Sequence, residues 1–263
     1  MHIDLSGRVA IVTGAARGIG RALVERLIQE GVSTVGLDVN EARLRELGES
    51  LADSGAQFSH FAVDITDEKQ LSDAVAETVR RYGRIDILVN NAGITAGGST
   101  DVLSEEDWRR CHEVNLTGTF LACKAVIPTM KKQRSGRIIN ASSFAAIIPT
   151  VAGAAYGSSK AAVVHFTRVL AGELGPWGIT ANAYAPGMVP TELNHFTERS
   201  EEVQQRLLDT LTLRRWGSKD DVTNLVCFLA SDQAAYITGT LIDVSGGKYA
   251  TQFPSAAYDT ADL

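Results

Sequence analysis

The chain has 263 residues, of which 44% are hydrophobic and 21% are charged, and its formal net charge is −6 at pH 7. Undivided α/β folds reach this length, and no linker or repeat interrupts the chain, so we expect a single domain over residues 1–263. The acidic balance disfavours nucleic acid and anionic membrane surfaces as partners. The N-terminus lacks a basic segment followed by an apolar one, and no run reaches 18 apolar residues, which together predict a cytoplasmic protein.

Short apolar runs alternate with longer amphipathic ones along the chain. This alternation predicts repeated strand–helix units, and therefore an α/β fold with a mainly parallel sheet. The predicted strands cover residues 9–13, 34–37, 58–63, 85–89, 137–141, 179–184 and 241–244. The predicted helices cover residues 19–30, 41–52, 68–82, 106–132, 154–174 and 220–231.

Residues 188–217 differ from these units, because they mix acidic residues with Leu and Phe between the sheet and the last helix. An insertion at the carboxyl edge of a sheet is typical of an active-site lid. An ordinary pair of surface helices is the alternative that the pattern leaves open.

Cysteine and histidine spacing argues against bound metal. Three cysteines, Cys111, Cys123 and Cys227, lie far apart within apolar helical patterns, which favours buried free thiols over disulfides. The five histidines show no spacing typical of ligands, so we expect no metal site.

A glycine-rich turn follows the first predicted strand and opens the first predicted helix. Gly14, Gly18 and Gly20 stand in the sequence TGAARGIG, where a side chain would block a tight turn and the approach of a pyrophosphate to the helix N-terminus. The turn therefore suits a dinucleotide, although a purely structural turn can show the same pattern.

Two residues near this turn favour different cofactors. Asp38, at the end of the second strand, can accept hydrogen bonds from ribose hydroxyls and would repel a 2′-phosphate. Arg17, in the turn, could pair with that phosphate. We weigh the carboxylate more heavily and predict NAD rather than NADP. Asp64, at the end of the third strand, is placed to bind the adenine amino group, to cap the following helix, or both.

Tyr156 and Lys160 stand four residues apart on a predicted helix, so both project from one face. A nearby ammonium lowers the pKa of a phenol, and Tyr156 could then exchange a proton with a carbonyl or alcohol oxygen. Ser143 follows a strand and could hydrogen-bond the same oxygen. These three residues indicate proton transfer at a substrate oxygen.

The chain resembles the short-chain dehydrogenases/reductases over nearly its full length. The resemblance is carried by TGAARGIG at 13–20, Asp64, NNAG at 90–93, Asn115, Ser143, Tyr156 with Lys160, Pro186-Gly187 and Thr191. It implies a seven-stranded doubly wound (Rossmann) sheet with helices on both faces, a nicotinamide cofactor and a homotetramer. One departure is the tail at 249–263, which is longer than in most members and puts the subunit interface in doubt.

The resemblance also assigns roles to individual residues. It implies that Asn115 supports a water-linked proton relay through Lys160, and that Lys160 also grips the nicotinamide ribose. The catalytic residues are then Asn115, Ser143, Tyr156 and Lys160. The cofactor-binding residues are Gly14, Arg17, Gly18, Ile19, Gly20, Asp38, Asp64, Ile65, Asn91, Gly93, Tyr156, Lys160, Val189 and Thr191.

The resemblance leaves two kinds of substrate to weigh. Members that act on polyols and simple secondary alcohols pair an aspartate such as Asp38 with NAD. The 3-oxoacyl-carrier-protein reductases mostly prefer NADP and dock an acidic carrier on basic residues. Arg134 fits one such basic position, but an acidic lid disfavours an acidic partner. We therefore expect an NAD-dependent enzyme for an apolar secondary alcohol or ketone, with the carrier-protein reductase and a non-catalytic nucleotide-binding relative as alternatives.

The expected substrate pocket is apolar, with few charged anchors. His195, in the lid, is a candidate hydrogen-bond partner for a substrate hydroxyl, or an exposed residue without that role. The residues expected to face the substrate are Phe144, Ala145, Ile147, Ile148, Val151, Met188, Leu193 and Phe196.

Overall fold

A parallel sheet of seven strands forms the centre of the protein in a computed structural model, which describes residues 3–52, 55, 57–194 and 196–258. The strand order is β3-β2-β1-β4-β5-β6-β7. This confirms the predicted doubly wound sheet. The strands are β1 (Val9–Thr13), β2 (Ser33–Asp38), β3 (Phe58–Ala62), β4 (Ile87–Asn90), β5 (Gly136–Ala141), β6 (Ile179–Pro186) and β7 (Leu241–Val244).

Helices cover both faces of the sheet. Alternate strand residues point to opposite faces, so Ala10 and Val12 pack with α1, α2 and α8, whereas Ile11 packs with α3, α5 and α6. Two hydrophobic cores result, one on each side. The helices are α1 (Gly18–Gln29), α2 (Glu41–Leu51), α3 (Glu68–Tyr82), α4 (Glu105–His112), α5 (Gly118–Gln133), α6 (Ala154–Leu174), α7 (Glu201–Leu208), α8 (Lys219–Ala230) and α9 (Ser255–Tyr258).

Short polar side chains fix the start of several helices by accepting backbone N–H groups that have no partner within the helix. Asn40 caps α2, Asp67 caps α3 and Ser104 caps α4. Ser218 and Asp221 form a reciprocal capping box at α8.

The structure divides the helix that was predicted over residues 106–132. A π-helical turn, Glu113–Thr117, separates α4 from α5. The sequence pattern missed it because Val114 within the wide turn and the apolar residues of α5 face the same core. Strand β4 also begins two residues later than predicted, at Ile87.

The segment at 188–217 contains one short α-helix, α7, and a 3₁₀ turn at Phe196–Glu198. The tail folds back on it, because the Tyr258 hydroxyl donates to the Thr212 carbonyl oxygen at 2.7 Å and the Arg214 guanidinium stacks on the Tyr258 ring. His195 and residues 259–263 lie outside the described residues. Over the part of the chain that the structure covers, no helix is long and apolar enough to cross a bilayer.

The strand order reverses between β1 and β4, since β2 lies on the far side of β1. A crevice forms at such a switch point, outside the carboxyl ends of the strands. The glycine-rich turn leaves β1 at this edge and so borders the crevice.

Candidate active site

A cavity of about 620 Å³ opens at the carboxyl ends of the strands. It is lined by the glycine-rich turn, by the ends of β2, β4 and β5, by α6 and by residues from 186 to 199. Most of the residues predicted for cofactor binding and catalysis meet here, whereas Gly20 and Asn115 lie behind its wall. The predicted residues that line it are Gly14, Arg17, Gly18, Ile19, Asp38, Asp64, Ile65, Asn91, Gly93, Ser143, Tyr156, Lys160, Val189 and Thr191.

The glycine-rich turn forms a cradle that has no room for a side chain at Gly14 or Gly20. Gly14 has a φ of +66°, and a Cβ atom there would lie 2.8 Å from the Ala92 Cα. A Cβ on Gly20 would overlap the Gly14 carbonyl oxygen, so Gly20 allows α1 to pack closely on the turn. The cradle therefore fits a pyrophosphate at the N-terminus of α1.

Asp38 lies at the end of β2 with its carboxylate on the cavity wall. Its two oxygens accept backbone N–H groups of Ala16 at 3.1 Å and Asn40 at 2.9 Å. Each carboxylate oxygen can accept a second hydrogen bond, so Asp38 remains able to bind ribose hydroxyls.

Asp64 does not cap the following helix, which begins after Asp67. One Asp64 oxygen instead accepts both the backbone N–H and the hydroxyl of Thr66, and the other accepts from Arg110 at 3.3 Å. Burial alone would raise the pKa of Asp64, and these hydrogen bonds lower it overall. Arg110, which also lines the cavity, comes from α4, 46 residues away, and no local pattern predicts it.

The NNAG segment joins the glycine-rich turn to the catalytic side of the cavity. The Asn91 amide donates weakly to the carbonyl oxygens of Thr13 and Gly14 and accepts from the Tyr184 hydroxyl at 3.2 Å. A Cβ on Gly93 would lie 3.3 Å from Lys160 Nζ. Asn91 therefore braces the turn, and Gly93 leaves space for the lysine.

Ser143, Tyr156 and Lys160 lie together on the cavity wall. Ser143 ends the loop after β5, where its hydroxyl also accepts the Ala145 N–H at 3.2 Å. Lys160 is 4% exposed and donates to the Ala141 carbonyl oxygen at 2.9 Å, with Nζ 5.8 Å from the centre of the Tyr156 ring. The arrangement can hold a substrate oxygen beside a phenol and an ammonium.

The expectation that Lys160 lowers the pKa of Tyr156 is wrong for this structure. The enclosed position of the phenol raises the pKa of Tyr156, and a hydrogen bond with Ser143 opposes this only in part. Burial also lowers the pKa of Lys160 to about 8. Burial therefore disfavours the charged form of both groups: the ammonium of Lys160 and the phenolate of Tyr156.

Asn115 lies in the π-helical turn and is fully buried. Its side-chain oxygen accepts the Ile94 N–H at 2.9 Å, and its amide nitrogen donates to the Ile94 carbonyl oxygen and the Ser159 hydroxyl, both at 3.0 Å. Its own carbonyl oxygen accepts from Thr119 at 2.8 Å. The wide turn thus carries a side chain that ties α4 to the segment after β4 and to α6.

Only part of the predicted substrate pocket faces the cavity. Met188 is buried elsewhere, and Ile147 is exposed without lining the cavity. The cavity also includes Glu192 and Arg199, which the sequence analysis did not assign. The predicted pocket residues that do line it are Phe144, Ala145, Val151, Leu193 and Phe196.

Comparison with known proteins identifies the family. The profile of the short chain dehydrogenase family matches residues 8–202. The chain belongs to the short-chain dehydrogenase/reductase family. As a member, it is an oxidoreductase that acts on CH–OH groups and binds a nicotinamide cofactor, for which the glycine cradle described above provides space.

Relatives and solved structures resemble this family member along nearly their whole length. The chain is 37% identical to the 3-oxoacyl-(acyl-carrier-protein) reductase FabG of Thermotoga maritima, with 92% of this chain and 98% of the relative covered. It is 38% identical to the enzyme of the same name from Aquifex aeolicus, with 95% and 100% covered. The structure of levodione reductase superposes with a TM-score of 0.89 at 30% identity, with 94% and 99% covered.

These similarities bear on the two substrates that the sequence analysis weighed. The curated names support the carrier-protein reductase, the stated alternative, better than they support the simple alcohol or ketone. They do not confirm the preference for NAD. Among the described residues, no cluster of three or more His, Cys, Asp or Glu is placed to hold a metal ion.

Proposed function

We propose that this protein interconverts a ketone and a secondary alcohol, with Tyr156 exchanging the proton at the substrate oxygen. The observation that carries the proposal is the position of Tyr156 beside Ser143 and Lys160, in the cavity that also contains the glycine cradle. A nicotinamide cofactor held at the glycine cradle would accept or supply the hydride. The chain's own residues orient the substrate and move the proton.

The pKa directions suit proton donation at neutral pH. Because the pKa of Tyr156 is raised, its phenol is protonated and can donate to the oxygen of a ketone. Because the pKa of Lys160 is about 8, it is mostly charged at pH 7 and can stabilise the phenolate that is left. We expect reduction to be favoured below about pH 8 and oxidation to rise with pH, which rates measured in both directions would check.

We further propose that Asn115 acts as a positioning residue and as the support of a proton relay behind Lys160. Asn115 Oδ1 and Lys160 Nζ both lie close to Gly93, at 3.1 and 3.3 Å from the position that a Cβ would take. The relay proposal rests on this closeness.

For the cofactor, we propose NAD. Asp38 supports this, because its carboxylate lines the cleft at the end of β2 and would face a 2′-phosphate there. Dissociation constants for NADH and NADPH, measured by nucleotide fluorescence, test the proposal. Tighter binding of NADPH would overturn it.

The first substrate candidate is a 3-oxoacyl thioester. The curated relatives support it through their names, and Arg199 on the cavity wall offers a cation to an anionic carrier arm. The second candidate is a free, largely apolar ketone or alcohol. The levodione reductase structure and the apolar cavity residues Phe144 and Phe196 support it, as does the acidic lid.

One panel of substrates separates the two candidates. The panel contains a 3-oxoacyl thioester on a carrier protein and the same acyl group on a short thiol without the carrier. It also contains free cyclic and linear diketones. Activity that depends on the carrier supports the first candidate, and activity on free ketones alone supports the second. Cofactor binding without turnover across the panel would favour the non-catalytic relative.

We also retain two proposals on organisation. Residues 188–217 act as a lid, supported by Leu193 and Phe196 on the cavity wall. The protein forms a homotetramer, supported by the exposed apolar side chains of Trp108, Phe120 and Val169 on α4, α5 and α6. Light scattering of the purified chain tests the assembly.

A further inference from the structure

A glutamate of the lid, Glu192, holds two arginines at the cofactor end of the cavity. Its Oε2 accepts from Arg43 Nη1 at 2.6 Å and from Arg17 Nη1 at 3.4 Å. Arg17 precedes α1, Arg43 lies in the first turn of α2, and Glu192 follows β6. Three elements distant in sequence therefore meet through one carboxylate.

This cluster lies beside Asp38. Arg17, Asp38 and Glu192 all line the same cavity. The pKa of Arg43 is raised, first by its hydrogen bond to Glu192 and by that charge, and also by the charge of Asp38. The charges of both carboxylates therefore act on the Arg43 guanidinium. Arg17 thus lines the cavity with Asp38, and Arg43 reaches this end of the cavity through its hydrogen bond to Glu192.

We infer that Glu192 is a determinant of cofactor specificity, because it holds Arg17 and Arg43 and so denies them to a 2′-phosphate. This inference rests on the proposed preference for NAD and extends it. Two arginines without that carboxylate would form a favourable site for a phosphate dianion. A bound 2′-phosphate has to displace the lid carboxylate and also meets the charge of Asp38, so the two carboxylates act together against NADP.

The contact between Arg17 and Glu192 explains how a chain with an arginine in the glycine-rich turn can still prefer NAD. A guanidinium in the glycine-rich turn favours NADP only while it is available to the phosphate. In this chain its partner is a carboxylate from the lid. The same carboxylate holds Arg43 at a shorter distance.

The test replaces Glu192 with glutamine, which keeps the size and one hydrogen-bonding oxygen but removes the charge. The probes are adenosine 2′,5′-bisphosphate and AMP, which differ only in the 2′-phosphate and carry no nicotinamide. Calorimetry gives their dissociation constants without any turnover. Glu201→Gln, on the exposed first turn of α7, is the matched control for loss of one lid charge.

We expect Glu192→Gln to tighten binding of the bisphosphate about tenfold, since it frees two cations and removes one anion. We expect the dissociation constant for AMP to change by less than about threefold, because AMP shares the 5′-phosphate of the other probe but has no 2′-phosphate to meet the arginines. Glu201→Gln should leave both constants near their wild-type values. Adding Arg43→Gln to Glu192→Gln should abolish most of the gain.

Other results separate this inference from the proposed function. Equal effects of Glu192→Gln on both probes, or no effect on the bisphosphate, overturn the role of Glu192. The same holds if Glu201→Gln gives the same gain. Preference of the wild-type protein for NADPH over NADH overturns the NAD proposal, and the ratio of the two probes still decides whether Glu192 opposes the 2′-phosphate.

Discussion

Replacing Lys160 with methionine should stabilise the fold at neutral pH while abolishing activity. Lys160 is buried, and its Nζ donates a hydrogen bond to the Ala141 carbonyl oxygen. Methionine has a similar length and carries no charge. The variant therefore removes a buried ammonium and one hydrogen bond.

The structure gives the size and the pH dependence of the effect. The pKa of Lys160 falls from 10.5 to about 8 on folding, which corresponds to a destabilisation of about 3 kcal/mol below about pH 8, where the lysine is protonated in both the folded and the unfolded state. The unfolded state binds more protons between these two pKa values, so the penalty shrinks as pH rises and vanishes above 10.5. Losing the hydrogen bond to Ala141 costs about 1 kcal/mol. Lys160→Met should thus gain about 2 kcal/mol at pH 7 and lose its advantage near pH 10.

Urea unfolding of both proteins at pH 7, 8, 9 and 10, at one protein concentration and without nucleotide, measures this difference. Lys132→Met, at an exposed position near the end of α5, is the control and should show no comparable dependence on pH. A Lys160→Met variant that is less stable than wild type at pH 7 would refute the reasoning. So would a stability difference that is the same at all four pH values.

Two further substitutions, Gly20→Ala and Asn115→Leu, test the packing of the site, and Gly172→Ala is their control. Gly20→Ala places a Cβ onto the Gly14 carbonyl oxygen and should cost about 3 kcal/mol and abolish NADH binding. Gly172→Ala in α6, with nothing near its Cβ position, should stabilise by up to about 1 kcal/mol. Asn115→Leu removes the hydrogen-bond partners of the Ile94 N–H and carbonyl oxygen. It should lower the free energy of unfolding by about 3 kcal/mol. Denaturant unfolding checks all three, and wild-type stability of Gly20→Ala or Asn115→Leu would contradict these contacts.

Much of the fold could be predicted because each strand is a short apolar run and each helix an amphipathic one. The runs at 9–13 and 241–244 match β1 and β7 at both ends. The π-helical turn could not be predicted in this way, because Val114 within it and Cys123 in α5 face the same core. Its only signal was Asn115, through the family resemblance.

The candidate site was predicted where a motif is local in sequence. Gly14, Gly18 and the pair Tyr156 and Lys160 are such cases, and all four line the cavity. The pKa of Tyr156 was predicted with the wrong sign, because spacing on a helix says nothing about how deeply a pair is enclosed.

Contacts between segments that are distant in sequence could not be predicted from sequence patterns. Glu192 meets Arg17 and Arg43 across 175 and 149 residues, and Arg110 meets Asp64 across 46. Such pairs are set by the sheet order and by the path of the lid, and neither is encoded in a short pattern.

The most direct test of the central claim is the turnover of Tyr156→Phe with a substrate found in the panel, measured beside its affinity for the cofactor. Phenylalanine keeps the ring and removes the proton that Tyr156 exchanges. We predict that turnover falls at least about 100-fold, while the dissociation constant for NADH changes less than about threefold. Near-wild-type turnover of Tyr156→Phe would contradict the account.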